Sequence, residues 1–341
     1  MISGKIMNLQ KGKIVPLSIL DLVPVVSGKT ASDSFKNSLE LALLAERSGY
    51  TRFWMAEHHN MEGIASSATS ILISHIAAGT KSIRVGSGGI MLPNHSPLVI
   101  AEQFGTLESL FPGRIDLGLG RAPGTDPLTA MALRRTADPH GEDFSKSLAE
   151  LRTYFSAENA DSAVRAIPGE GLNIPIWLLG SSTYSAQLAG ILGLPFAFAS
   201  HFAPSMLYTA LQVYRDSFRP SVHLDQPYSM ACVNAIAADT DEEAEYLASS
   251  LYMAFLSVIN GRRTKLQPPV KNMDSIWTVT EKQAVLQMLS CSFIGSAEKV
   301  STQIEQFVAS TNVDELMISA HIYDHHSRMR SYELIAQLCL A

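Results

Sequence analysis

The sequence contains few cysteines. Three occur in the 341 residues, at Cys232, Cys291 and Cys339, and none forms a Cys-x-x-Cys pair. Widely spaced single cysteines do not build the dense framework of a disulfide-stabilised domain. We therefore interpret them as free, buried thiols, and we expect the protein in a reducing cytoplasm.

Charged residues and long apolar runs are also limited. Charged residues make up 17% of the chain, and the net charge is -6. An acidic chain suits neither nucleic acid nor an anionic membrane, so we expect neither as a partner. No apolar run approaches the ~20 residues that a membrane-spanning helix needs. The stretch from Met1 to Lys13 lacks the apolar core of a secretory signal, and either Met1 or Met7 is the natural start.

Apolar residues, in contrast, make up 46% of the sequence, enough for a large folded core. Apolar runs of strand length alternate with amphipathic runs of helix length, which is typical of parallel sheets with crossover helices. Eight strands are predicted, at Leu17 to Leu22, Thr51 to Ala56, Ile83 to Gly89, Arg114 to Leu119, Ile174 to Leu179, Phe196 to Ser200, Tyr228 to Ala237 and Glu315 to Ser319. The predicted fold class is α/β, a (βα)8 TIM barrel with insertions that forms one domain over residues 1–341. A doubly wound sheet is the alternative, because the number of strands does not prove closure.

Two polar stretches interrupt this alternation. Ser156 to Leu172 is irregular and is predicted to be an insertion. Gly261 to Trp277 follows strand seven and its long helix, Asp239 to Asn260, and it shows no periodicity. Long structureless loops in compact domains are often lids. We interpret the basic stretch Arg262-Arg263-Thr264-Lys265 as part of such a lid, with an ordinary solvated loop as the alternative.

Titratable residues stand at the end of predicted strand two. The apolar stretch that begins at Thr51 runs directly into Glu57, His58 and His59. Ionisable side chains at the C-terminal end of a barrel strand indicate chemistry rather than packing. Because neighbours in a strand point to opposite faces, His58 and His59 do not easily bind one metal. His58 is the candidate for proton transfer near neutral pH, and a buried, hydrogen-bonded histidine is the alternative.

Arg121 follows predicted strand four, in the stretch Gly118-Leu119-Gly120-Arg121-Ala122-Pro123-Gly124. The glycines let a ligand approach the backbone, and a guanidinium can bind phosphate through two parallel hydrogen bonds. The stretch is not the dinucleotide-binding fingerprint, because Pro123 stands where Gly-x-Gly-x-x-Gly needs its third glycine. A tight turn with a solvated arginine is the alternative.

Two glycine-containing turns complete the candidate site. Gly180-Ser181-Ser182-Thr183 lies between strand five and a helix, where free amides and hydroxyls can bind an anion or simply cap the helix. Since the loops after strands four and five are neighbours in a barrel, Arg121 and this turn could share one phosphate. Gly88-Gly89 ends strand three. It could present bare backbone to a planar ring, or it could mark a bulge.

A second histidine cluster, His321-x-x-Asp324-His325-His326, follows strand eight. It could edge the same mouth, or it could be a polar loop with a helix start. A metal hydrolase needs ligands that converge from several strand ends, and Asp21 and Glu57 are the only further acids at such positions. We therefore predict no metal site.

Several of these stretches, in this order, resemble the bacterial luciferase-like, flavin-dependent monooxygenases. The similar segments are Gly49 to His59, Val85 to Pro93, Pro97 with Ala101-Glu102, Gly113 to Arg121 and Pro175 to Ser182. The resemblance implies a barrel that binds FMN at its C-terminal mouth, with His58 as the catalytic residue. It implies a non-proline cis peptide at Gly88-Gly89 beside the flavin ring. The other cofactor-binding residues that it implies are Glu57, Arg121, Gly180, Ser181 and Tyr184.

The resemblance also implies an activity and partners. The protein would take reduced FMN from a separate flavin reductase and use molecular oxygen to oxidise a small organic substrate, and it would form a homodimer. Gly120 stands where luciferases carry a reactive thiol, so light emission is not expected. The alternatives are a deazaflavin-dependent hydride transfer on the same fold, or a non-catalytic flavin-binding protein.

Overall fold

The computed structural model describes residues 15–122, 124–133 and 144–340. The N-terminal stretch that ends at Lys13, with Met7, and Pro123 of the arginine loop lie outside the described residues. The described strands are β1 (Leu17–Asp21), β2 (Arg52–Met55), β3 (Arg84–Met91), β4 (Ile115–Gly120), β5 (Ile176–Gly180), β6 (Phe196–Phe198), β7 (Ser229–Ala238), β8 (Ser292–Ser296) and β9 (Glu315–Ser319).

These strands form a closed parallel barrel. β1 pairs with β2 on one side and with β9 on the other, while β6 pairs with β7 and β7 with β9. The ring is therefore β1-β2-β3-β4-β5-β6-β7-β9, with eight members. The predicted TIM barrel is confirmed, and the doubly wound alternative is wrong.

β7 extends beyond its pairing with β9, and its second half pairs with an additional strand. Residues Met230 to Asn234 pair with β9, whereas Asn234 to Ala238 pair with β8. β8 was not among the eight strands predicted from the sequence. It lies at the open end of the sheet order, outside the closed ring.

Helices surround the barrel and connect its strands. Those described are α1 (Ala31–Arg47), α2 (Thr69–Gly79), α3 (Pro97–Leu110), α4 (Pro127–Leu133), α5 (Phe144–Phe155), α6 (Thr183–Leu192), α7 (Leu207–Ser217), α8 (Asp241–Ile259), α9 (Val279–Met288), α10 (Ala297–Thr311) and α11 (His325–Cys339). The predicted long helix is confirmed as α8. Its acidic first turn and the capping oxygen of Thr240 complement the positive end of the helix dipole. Among the described helices, none is long and apolar enough to cross a membrane.

Side chains of the strands divide between two apolar clusters, because successive residues point to opposite faces. Trp54 and Ala56 of the β2 region belong to the cluster inside the barrel. Phe53 and Met55 belong to the larger cluster between the strands and the helices. Cys232 is buried inside the barrel, while Cys291 and Cys339 are half-buried, and all three are free thiols.

A charged network closes the N-terminal end of the barrel. Arg52 donates to Glu315 at 3.0 Å and to Asp116 at 2.8 Å, and Arg84 donates to Asp116 at 2.6 Å. Both carboxylates are fully buried. The network joins the first residues of β2, β3 and β9 to β4, so charge at this end is paired and serves stability.

Both predicted insertions are largely irregular. Residues 156–172 contain the short 3-10 helix Ala157–Asp161 and turns, and residues 261–277 contain the 3-10 helix Met273–Ser275. The second segment runs along the loop after β1, where Leu266 accepts from Ser27 at 2.8 Å and donates to Val25 at 3.0 Å. These backbone hydrogen bonds hold it over the C-terminal end of the barrel.

Candidate active site

A cavity of about 540 Å³ opens at the C-terminal end of the barrel. It is bordered by the ends of β2, β3, β4, β5, β6 and β9 and by the segment 261–277. Six of the eight predicted catalytic and cofactor-binding residues lie in its wall: His58, Gly88, Gly89, Arg121, Gly180 and Ser181. The structure therefore brings the candidate histidine, glycine pair, arginine and helix start together at one site.

His58 lies just beyond β2 and faces the cavity. Its Nδ1 is buried and has no hydrogen-bond partner. Burial lowers the pKa of His58, so the imidazole is neutral at neutral pH and can accept a proton. His59 points the other way and contacts Glu57, with 2.7 Å between Nε2 and Oε1, as the alternation of strand residues predicts.

The Gly88–Gly89 peptide bond is cis, as the resemblance implied. The pairing of β3 with β4 shifts register between Gly88 and Ile90, so the bulge considered from the sequence is also present. A Cβ on Gly89 would lie 2.5 Å from the carbonyl oxygen of Gly118, and one on Gly88 would lie 2.7 Å from Leu20. Close packing against backbone thus requires glycine at Gly89, and the turn presents bare backbone to the cavity.

Arg121 and the start of α6 form a cationic corner. The guanidinium carbon of Arg121 lies 4.3 Å from the ring centroid of Tyr184, which positions the charge by a cation–π contact. Tyr184 itself is not in the cavity wall. The N-cap residue Ser182 accepts no hydrogen bond from the first turn of α6, so backbone amides beside Gly180 and Ser181 are free to bind an anion.

Glu57 supports the site from behind rather than lining it. Its carboxylate is buried and accepts hydrogen bonds from the amide of Met91 at 3.0 Å, from Asn94 at 3.2 Å and from His95 at 2.9 Å. Burial by itself would raise the pKa of Glu57, but the hydrogen bonds and charge of its partners hold it below the usual value. The backbone amide of Glu57 also donates to Gly89 at 3.1 Å. Its side chain therefore holds the loop after β3 and, through it, the glycine turn.

Glu57, His59 and His95 also have a spacing that could suit a metal ion. Their potential ligand atoms lie within 4.8 Å of one another. Both carboxylate oxygens, however, already accept hydrogen bonds from backbone or amide donors. The cluster is accounted for by hydrogen bonding, and the absence of a metal site stays a prediction.

Two further histidines line the cavity, and the sequence analysis identified only one of them. His321, from the second histidine cluster, follows β9, and His201 follows β6. Burial lowers the pKa of His201 to about 3, with the charges of His321 and His58 adding to the effect. Burial also lowers the pKa of His321 to about 4, helped by the charge of Arg328. His201 was missed although it directly follows predicted strand six, the position that drew attention to His58.

The rest of the second cluster is structural. Asp324 caps α11 by accepting from the amide of Ser327 at 2.8 Å, and His325 contacts Glu40 at 3.1 Å. Asp21 is buried and pairs with Arg328 at 2.8 Å. These residues fit the interpretation as a helix start, and His321 is the member of the cluster that faces the cavity.

Apolar side chains and the segment 261–277 form the remaining wall. The apolar members include Met61, Ile64, Phe202, Phe255, Val258, Leu266 and Met288. Arg262, Arg263 and Thr264 lie in the same wall. Arg263 donates to Asp126 at 2.8 Å and to the carbonyl of Asn60 at 3.1 Å. The segment thus covers the mouth of the cavity as expected of a lid, whereas its opening stays a prediction.

Comparison with known proteins defines the class. The family model for luciferase-like monooxygenases matches residues 16–315. A luciferase-like monooxygenase of Escherichia coli (strain K12) is 53% identical over 322 residues, which cover 94% of this chain and 96% of that protein. The N-acetyl-S-alkylcysteine monooxygenase of Bacillus subtilis (strain 168) is 32% identical, covering 96% of this chain and 99% of its own. The chain belongs to the luciferase-like monooxygenase family.

Solved structures agree with this assignment. Apo-MsnO8 is 35% identical and superposes with a TM-score of 0.83, covering 95% of this chain and 98% of its own. An FMN complex of the oxygenating component of 3,6-diketocamphane monooxygenase (TM-score 0.72, 19% identity, covering 95% of this chain and 97% of its own) shares the fold. So does an F420-dependent secondary alcohol dehydrogenase (TM-score 0.69, 14% identity, covering 95% and 98%).

Proposed function

We propose that the protein is an FMN-dependent monooxygenase that uses reduced FMN and molecular oxygen to oxidise a small organic substrate. The observation that carries this proposal is the convergence of His58, the Gly88–Gly89 turn and Arg121 on one cavity, in a chain of the luciferase-like family. An imidazole, a bare backbone turn and a cationic corner fit the proton chemistry, the planar ring and the phosphate of FMN, respectively.

Each group of cavity residues would have a separate role in this reaction. Arg121 and the free amides near Ser181 would bind the phosphate, and the cis turn at Gly88–Gly89 would lie against the ring. Bound reduced FMN supplies the electrons that activate oxygen. His58, neutral because burial lowers its pKa, would exchange a proton with the reacting groups in the cavity. The apolar wall excludes water from the reacting groups.

The proposal extends to partners and location. Membership of the luciferase-like family supports a separate flavin reductase as the source of the reduced FMN. The Bacillus subtilis relative is described as a monooxygenase of N-acetyl-S-alkylcysteine, which supports a small organic substrate here. We also propose that the protein is cytoplasmic and that it forms a homodimer. Sedimentation equilibrium tests the dimer directly.

Replacement of Arg121 by alanine tests the cofactor assignment. Loss of the cation removes the phosphate contact, so FMN should bind about 10-fold or more weakly, while riboflavin, which has no phosphate, should bind as before. Fluorescence titration of each flavin against both proteins measures this preference. Arg330→Ala, which removes an exposed arginine of α11, is the matched control. An unchanged ratio of FMN to riboflavin affinity in Arg121→Ala would refute the phosphate site.

The same titration with F420 tests the deazaflavin alternative. If F420 bound tightly and FMN only weakly, the result would favour hydride transfer over an oxygen-dependent reaction. Binding of FMN without oxygen-dependent turnover of any substrate would instead favour a non-catalytic flavin-binding protein. FMN binding together with faster reoxidation kinetics in the presence of a substrate supports the monooxygenase.

A further inference from the structure

His201 and His321 line the cavity but have no part in the cofactor assignment. The phosphate corner is built on β4 and β5, and the glycine turn on β3. His201 follows β6 and His321 follows β9, so the two imidazoles border the arc that runs from β6 towards β1. A ligand group that contacts both would approach the flavin from this arc.

In each of these imidazoles, one ring nitrogen is buried and has no hydrogen-bond partner. Nδ1 of His201 and Nδ1 of His321 are both buried with no partner. A buried N–H without a partner is rarer and more costly than a buried acceptor without one. In the neutral ring the proton therefore sits on Nε2, the nitrogen left to face the cavity.

Both rings are uncharged at neutral pH. Burial holds the pKa of His201 at about 3 and that of His321 at about 4. The two histidines thus present N–H donors without a positive charge. A carboxylate placed against them would lose its hydration without gaining a counter-charge, and an ammonium would find no acceptor.

The surroundings of the pair are apolar. The ring of Phe202 packs edge-on against His201 with centroids 4.8 Å apart, and Phe255 packs against His321 at 6.3 Å. The cations of the cavity wall lie elsewhere, with Arg121 at the phosphate corner and Arg262 and Arg263 exposed on the covering segment. The pair is therefore a local polar spot in an apolar wall.

We propose that Nε2–H groups of His201 and His321 bind the oxygen of a carbonyl group on the substrate, so that the enzyme selects uncharged, mainly apolar ketones, esters or amides. A carbonyl oxygen has two lone pairs and accepts two such hydrogen bonds. The two histidines are substrate-positioning residues, distinct from His58. The inference rests on the proposed function in taking the flavin to lie against the residues that follow β3, β4 and β5.

Four compounds that share a six-membered carbon ring test the selectivity. Cyclohexanone, cyclohexane, cyclohexanecarboxylate and cyclohexylammonium are compared for binding to FMN-loaded protein by ligand-observed NMR. Two net hydrogen bonds should make cyclohexanone bind about 10-fold more tightly than cyclohexane. Both charged compounds should bind more weakly than the ketone.

Variants of the pair assign the effect to these residues. His201→Phe and His321→Phe should each reduce cyclohexanone affinity about 3- to 10-fold and leave cyclohexane affinity unchanged. His201→Gln and His321→Gln, which keep an N–H donor, should restore most of the ketone affinity. Exposed His75 on α2 provides the control, since His75→Phe should change neither value. The glutamine variants keep the test valid if a phenylalanine variant does not fold.

Three outcomes overturn the inference. One is equal affinity for cyclohexanone and cyclohexane, and another is tightest binding of the carboxylate. The third is weaker FMN binding in the phenylalanine variants with the ketone preference intact, which would place the pair on the flavin. The FMN titration is read separately, so failure of the cofactor assignment is distinguished from failure of the carbonyl site.

Discussion

At the scale of single residues, the cavity combines one imidazole beside a bare backbone turn with two others in an apolar wall. All three have lowered pKa values because they are buried, so the cavity holds uncharged bases. Such groups can exchange protons or donate hydrogen bonds without attracting water or anions. Their separate positions on β2, β6 and β9 allow separate roles.

His58→Ala should leave FMN affinity nearly unchanged and reduce turnover by about 10²–10⁴, since the role proposed for the side chain is to move a proton and not to hold the phosphate. Steady-state oxygen consumption with reduced FMN and a substrate measures the turnover, and fluorescence titration measures the affinity. His75→Ala, on the exposed face of α2, is the control. Unchanged turnover in His58→Ala would remove the residue from the mechanism.

Glu57→Gln should destabilise the fold by about 1–3 kcal/mol, because the amide leaves buried N–H donors around the former carboxylate without a full set of acceptors. The free energy of unfolding is measured by denaturant titration. Exposed Glu62 supplies the matched variant Glu62→Gln, which should behave as wild type. Equal stability of the two variants would contradict the supporting role of Glu57.

Position at a strand end identified His58 and Arg121 from the sequence alone. The same criterion would also have found His201, but the strand before it is short, and no titratable neighbours drew attention to it. The direction of the Glu57 side chain could not be predicted. Its partners Met91, Asn94 and His95 lie at the end of β3 and in the loop after it, and the contact depends on how two strands pair side by side.

At the scale of elements, the barrel strands followed from apolar runs between turn residues. α9 and β8 were not predicted from the sequence. α9 buries little apolar surface, with Val285 as its buried residue, so its sequence shows no apolar stripe. β8 is short and half-buried and contains Gly295. Its pairing is fixed by the extended second half of β7, a tertiary feature that local pattern does not contain.

Side chains that accept hydrogen bonds from backbone amides also join neighbouring elements. Glu46 of α1 accepts from the amides of Lys81, Ser82 and Ile83, just before β3, at 2.8, 2.5 and 3.0 Å. Burial alone would raise the pKa of Glu46, but these three amides lower it from 4.5 to about 2. The charged form is therefore favoured by folding.

Glu46→Gln should destabilise the protein by ~1 kcal/mol at pH 7, since the site is partly screened by solvent. Because the pKa is lower in the folded state, the contribution is complete above about pH 4.5 and disappears as the pH falls towards 2. The free energies of unfolding of wild type and Glu46→Gln should therefore become equal as the pH falls through that range. Glu305→Gln, at an exposed position of α10, is the matched control and should leave the free energy of unfolding close to that of wild type. A difference between wild type and Glu46→Gln that is independent of pH would contradict the assignment.

At the scale of the whole molecule, the barrel has two ends of different character. The C-terminal end holds neutral imidazoles and the Arg121 side chain around a cavity, whereas the N-terminal end holds paired charges around Asp116. Function and stability are therefore assigned to opposite ends, as is usual for this architecture.

Asp116→Asn should lower the free energy of unfolding by about 3–5 kcal/mol, because Arg52 and Arg84 would lose their shared buried counter-charge. FMN binding at the other end should persist under native conditions. The denaturant midpoint reports the change. Asp274→Asn, which breaks an exposed pair with Lys282, should shift the midpoint little, and a similarly small shift for Asp116→Asn would disprove the stabilising role of the network.

The attachment of the segment 261–277 has a consequence for how this barrel diversifies. The helices on either side of it, α8 and α9, pack on each other, and α8 also rests on β7 and β8, so the ring closes without help from the residues between them. Those residues nevertheless form part of the cavity wall. Exchange of this one surface segment with that of a relative is therefore expected to change the preference for substrates while the barrel itself is kept.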